Sequence, residues 1–118
     1  MSKIEINKNP FFNKDLGMID ENSSGITMTF NNGNTISIQW GMSNYSSTRT
    51  VNKPTPKCTS AEVAIWDEND KWARIDENES IVKGWVEPDE IAKLIFITST
   101  NTISEINSIF EKEFSTVK

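Results

Sequence analysis

Histidine is absent from this 118-residue chain, and cysteine occurs once, at Cys58. The first absence removes the commonest general base and metal ligand, and with it every Ser-His or Cys-His nucleophile pair. The second excludes an intrachain disulfide and any thiolate metal cluster built from one chain, which points to a reducing cytoplasm. No apolar run approaches the ~18 residues of a transmembrane helix. The first residues, Met1-Ser2-Lys3-Ile4-Glu5-Ile6-Asn7-Lys8, lack the continuous apolar core of a secretory signal. No glycine loop able to cradle a phosphate is present. The expectation is a cytoplasmic, non-enzymatic protein with no cofactor, no metal and no membrane partner.

Acid is also missing where it is least expected. The net charge is -5, yet no Asp or Glu lies between Asn22 and Ala61, where Arg49, Lys53 and Lys57 stand. From Glu62 to Glu90 the balance reverses, with ten acids against Lys71, Arg74 and Lys83. The chain is thus electrically two-sided in sequence, and direct contact with nucleic acid is not expected of so acidic a protein.

What is present reads as one domain of residues 25–118 preceded by an arm, 1–24, whose Phe11 and Phe12 would pack onto the body. The alternating runs on either side of Asn31-Asn32-Gly33 predict a β-hairpin. A two-residue turn would split the apolar set across both faces. A three-residue loop, with Gly33 left-handed and a bulge, pairs Met28 with Ile36 and Ile26 with Ile38 and makes one face apolar. Trp40 continues that face and is expected in the core.

A second strand pair is predicted at 61–66 and 71–75, around the turn Asp67-Glu68-Asn69-Asp70. If Trp66 faces Trp72, the pair has an aliphatic and an aromatic side; a four-residue loop would mix them. Val82–Val86 reads as a short extended piece before Pro88, where Asp89 and Glu90 complement the start of a helix. Ile91, Leu94, Ile95 and Thr98 give that helix one buried face. Thr102-Ile103-Ser104-Glu105 is a capping box that opens a second helix, 102–116, with Ile103, Ile106, Ile109, Phe110 and Phe114 as its apolar stripe. The expected fold is α+β: an antiparallel sheet of four to five strands, built from two hairpins and covered by one or two C-terminal helices.

Two surfaces are candidates for recognition. The polar stretch from Gly41 to Ser60 carries Asn44, Tyr45, Ser46 and Arg49, a set of amide, ring, hydroxyl and guanidinium suited to a small anionic ligand such as a nucleotide. The acidic turns carry Trp66, Asp67, Glu68, Asp70, Trp72, Asp76, Glu77 and Glu79, which could present a DNA-like negative face to a basic protein. Trp66, Trp72 and Trp85 belong either to the core or to an exposed aromatic surface. The run Asp67-Glu68-Asn69-Asp70-Lys71-Trp72 begins like a calcium loop, but Lys71 replaces an oxygen ligand and Trp72 the required glycine.

The order Asn32-Gly33, Ser37-Ile38-Gln39-Trp40-Gly41-x-x-Asn44-Tyr45, Ala61-Glu62-Val63-Ala64-Ile65-Trp66-Asp67 and Gly84-Trp85-x-x-Pro88-Asp89-Glu90-Ile91 resembles a family of small, functionally uncharacterised proteins of tailed bacteriophages. The resemblance covers residues 25–97 and implies a phage or prophage origin and a host-cytoplasm setting. Ser46 stands where members often carry a cysteine, so it brings no reactive thiol to this position. The expected function is a small acidic binding protein that inhibits or modulates a host protein, such as a nuclease or an antiviral defence complex, in the manner of a DNA mimic or an anti-CRISPR protein. The alternatives are a protein that sequesters a small nucleotide-like ligand through the 41–60 loop, and a virion-associated structural accessory.

Overall fold

The computed structural model describes residues 2–6, 23–41, 45–48, 50, 57–78 and 80–117. Five strands, β1 (Lys3–Ile6), β2 (Ser23–Thr29), β3 (Thr35–Gly41), β4 (Ala61–Trp66) and β5 (Val82–Val86), precede two helices, α1 (Pro88–Thr100) and α2 (Ile103–Val117). The strands form one antiparallel sheet in chain order, β1-β2-β3-β4-β5. This is the α+β class expected from the sequence, with a meander in place of two separate hairpins.

The register at Gly33 follows from the side-chain pattern. Met28 faces Ile36 and Ile26 faces Ile38, as the three-residue loop requires. Gly33 sits at φ 90°, the Phe30 amide donates to the Asn34 carbonyl at 2.8 Å, and the Gly33 amide donates to the Phe30 carbonyl at 2.9 Å. Two apolar rows then cross the sheet. One runs Ile4, Met28, Ile36, Ile65 and the other Ile6, Ile26, Ile38, Val63. Ile36, Ile65 and Val63 are completely buried beneath Leu94, Ile97, Ile103, Ile106 and Phe110 of the helices. Complete burial of each such aliphatic side chain contributes about 1.5–3 kcal/mol before the opposing entropy is counted. Trp40, Ile26 and Met28 pack half-buried at the margin of this core. The polar side of β3 and β4 is buried as well: Ser37, Gln39 and Ala64 are inaccessible.

Hydrogen bonds fix the helices over the sheet. The amide groups of Asn32 and Asn34 donate to the carbonyls of Thr98, at 2.9 and 3.0 Å, and of Asn101, at 3.3 and 2.6 Å. The hairpin tip therefore satisfies the last carbonyls of α1, groups that a helix cannot pair internally. The capping box closes as expected, with Glu105 accepting from the Thr102 amide at 2.8 Å and Thr102 Oγ1 accepting from the Glu105 amide at 3.1 Å.

Two expectations are corrected. Lys3–Ile6, read as part of an arm, is a strand of the sheet; Phe11 and Phe12 lie outside the described residues. Residues 71–75 do not form a strand with β4. Only an isolated bridge joins Trp66 to Trp72, and the Ala73 amide donates to the Ile65 carbonyl at 2.8 Å. The reason is competition for one edge, because β5 occupies β4 from Ala61 to Ala64 and leaves only its last residues to the segment. Ala73 and Ile75 are instead buried singly in the core.

Candidate functional site

At the outer edge of the sheet, β5 departs from regular pairing. Ala61 faces Val86 while Val63 faces Lys83, so Glu62 alone stands opposite both Gly84 and Trp85. This two-against-one arrangement is a β-bulge, a device that re-aims a side chain. Trp85 takes up the irregularity with φ 51°, a left-handed conformation that is unfavourable for an L-residue by about 1–2 kcal/mol.

Tyr45 holds the bulge in place. The Trp85 amide donates to the Tyr45 carbonyl at 2.7 Å, and the Tyr45 amide donates to Glu62 Oε2 at 2.8 Å. The two rings then meet with centroids 5.3 Å apart, inclined at 37°. Gly84 makes this approach possible, since a Cβ there would lie 2.5 Å from Tyr45 Cβ. Trp85 is 56% exposed and Tyr45 44% exposed, so the pair forms an aromatic surface anchored by one backbone hydrogen bond and one to the Glu62 carboxylate. Lys83 is engaged with both oxygens of Glu90 at 3.1 Å, while Glu87 and Asp89 are exposed at the start of α1.

The residues singled out in the sequence divide. Tyr45 is exposed and belongs to this surface. Ser46, expected to face a ligand, is buried, and its Oγ accepts from the amide of Gly41, the last residue of β3, at 3.3 Å. Asn44 and Arg49 lie outside the described residues. Trp66 and Trp72 are half-buried and pack on each other, with centroids 4.6 Å apart. Asp67 is occupied with its own turn, Oδ1 accepting from the amides of Asn69 at 2.8 Å and Lys71 at 2.9 Å. Glu68 and Asp70 are exposed in that turn, and the Glu68 carboxylate lies over Gly33. Asp76 accepts from the Asn78 amide at 3.2 Å in the following turn, where Glu77 is exposed; Glu79 lies outside the described residues. Among the described residues, no three acidic or cysteine side chains converge to hold a metal ion, and no helix is long and apolar enough to cross a membrane.

Glu62 and Gly84 are not among the candidate site residues that the sequence suggests, and Trp85 stands there only as one of three tryptophans and as part of a motif. A signal was present. Val82-Lys83-Gly84-Trp85-Val86 breaks strict alternation at a glycine, the mark of a bulge or a close backbone approach.

Elsewhere, a groove of about 680 Å³ is lined by Trp40, Ser47, Thr48, Lys57, Cys58 and Thr59. Ser47 Oγ accepts there from the amides of Thr59 at 2.9 Å and Ser60 at 3.2 Å. Burial pushes the Cys58 thiol above its ordinary value, which keeps it protonated and a poor nucleophile. Compared with known protein families, curated proteins and solved structures, the chain gives no match.

Proposed function

We propose that this chain is a non-catalytic binding protein that grips a basic protein surface with the Tyr45–Trp85 pair. The observation that carries the reading is Trp85 itself, a large aromatic residue held in a left-handed conformation with more than half of its surface exposed. Strain of this kind is maintained where the surroundings fix it, and it collects at sites of function. Tryptophan and tyrosine are also the residues that most often dominate binding energy at interfaces. Glu87 and Asp89, exposed two and four residues after Trp85, favour a partner that offers Arg or Lys. An arginine stacked on the indole face would gain a cation–π contact in addition.

Three features of the sequence bear on the setting: its acidity, its lack of histidine and the motifs that resemble those of small phage proteins. These support an inhibitor or modulator of a host protein, such as a nuclease or an antiviral defence complex, acting in the host cytoplasm. The test uses tagged wild-type chain and Trp85→Gly as parallel baits in bacterial host lysate, with mass spectrometry of the captured proteins. The expected result is a basic protein retained by the wild type, absent from the variant and released by added salt. Equal recovery by both baits removes the aromatic pair from the interface.

The groove at Trp40 favours a second reading, a binder of small anionic ligands, because it combines an indole, hydroxyls and Lys57. Thermal-shift measurements with nucleotides separate the two, since a ligand that binds only the folded state raises the melting temperature by mass action.

A further inference from the structure

We propose that β1 is a self-complementary edge through which two copies of this chain pair antiparallel about a two-fold axis, Ile4 facing Ile4 of the second copy and Lys3 facing Glu5 in both directions. Among the described residues, β1 has a neighbouring strand, β2, on one side only. All four of its residues are exposed. The two apolar rows of the sheet are completely buried at Ile36, Ile65 and Val63, half-buried at Met28 and Ile26, and open at Ile4 and Ile6, which are 65% and 67% exposed. They are unfinished at this edge.

Natural sheets blunt such an edge with a short strand, charged side chains, proline, a bulge or an inward-pointing charge. β1 is short and carries Lys3 and Glu5, but it has no proline or bulge, its pairing with β2 is regular over all four residues, and its charges lie on the side away from the isoleucines. Those charges are one of each sign, Lys3 and Glu5, 3.1 Å apart on the same strand.

Charge and side-chain direction select the register. If Glu5 stood opposite itself, like charges would meet across the ladder, which is destabilising. If Ile4 stood opposite Glu5, the two faces of the sheet would mix. With Ile4 opposite itself, Lys3 meets Glu5 twice, and both copies of Ile4 and Ile6 form a cluster that extends the apolar rows from one core to the other. A ribbon of four residues is shorter than most stable interfaces, which bury about 1,600 Å², so this pairing is concentration-dependent. β5 lies at the opposite edge of the sheet, so the dimer leaves both Tyr45–Trp85 surfaces outward and makes the protein bivalent. The proposal is independent of what those surfaces bind.

Sedimentation equilibrium from low-micromolar to millimolar concentration tests it, on wild type, Lys3→Glu, Glu5→Lys and the double exchange. Each single exchange places two like pairs across the interface and is expected to weaken the dimer about tenfold, while the double exchange restores it. Amide hydrogen exchange on the wild type gives an independent check, with protection of β1 rising as concentration rises. A monomer at every concentration overturns the proposal. So does a dimer that the single exchanges leave intact or that the double exchange fails to restore.

Discussion

Of the four described residues with positive φ, Gly33, Gly41, Asp70 and Trp85, the first and the last fill their positions in opposite ways. At the β2–β3 tip the residue is Gly33, φ 90°, with the Glu68 carboxylate close above it. At the β5 bulge it is Trp85, φ 51°, against Tyr45. The other described non-glycine residue with positive φ is Asp70, φ 60°, whose short polar side chain tolerates the conformation. Where the backbone serves only to turn, the chain uses residue types that the turn tolerates. The bulge keeps a tryptophan in spite of its backbone, and Gly84 beside it is committed to the close approach of Tyr45. Under the proposed function, the difference is accounted for by the side chain of Trp85.

The comparison breaks first at Gly84. Gly84→Val drives side-chain atoms into Tyr45 and is expected to destabilise the fold by about 1–3 kcal/mol, the range for overpacking a tight contact. Urea unfolding gives the magnitude, and loss of the Tyr45–Trp85 contact shows as a change in tryptophan fluorescence. Gly33→Ala comes next, at about 1–2 kcal/mol for a left-handed alanine. Glu68 adds little there, because a flexible carboxylate can move aside. Gly33→Asn should lose less than Gly33→Ala, since asparagine visits this conformation more readily. Away from both positions, Thr102→Ala removes the cap of α2 and is expected to lose about 1 kcal/mol, read by the same unfolding curves.

The hairpin at Gly33 was legible because strict alternation on both sides leaves one register that gathers the isoleucines and Met28 on a single face. The helices were legible from local chemistry: Pro88 with its acids at one start, and Thr102 with Glu105 at the other. What escaped depends on residues far apart in the chain. Lys71–Ile75 has the composition of a strand, and the arrival of β5 on β4 leaves it only the end of β4 to bridge. β1 has alternation too short to separate from an arm, and no described neighbour on its outer side to confirm it. The aromatic surface needed Tyr45 and Trp85 to meet across a bulge, which neither segment announces alone. Ser46 shows the converse: a hydroxyl in a polar stretch looked available, yet the end of β3 needed it for the Gly41 amide.

The sharpest test of the comparison lies at Trp85. Trp85→Gly removes a ring contact worth about 0.5–1.5 kcal/mol. It also relieves a left-handed backbone that is unfavourable by about 1–2 kcal/mol. Glycine gives the unfolded chain extra freedom, worth about 0.4–1 kcal/mol against the folded state. These three terms nearly cancel, which leaves the lost burial of the covered part of the indole as the net effect, so the melting temperature should fall while partner capture is lost. Trp85→Ala loses the same ring but keeps the unfavourable φ, so it should be the less stable of the two variants. At an ordinary strand position the order is reversed, because glycine is the weaker residue there. An alanine variant that melts above the glycine variant would mean that the bulge relaxes without strain, and Trp85 would lose the property that sets it apart from Gly33.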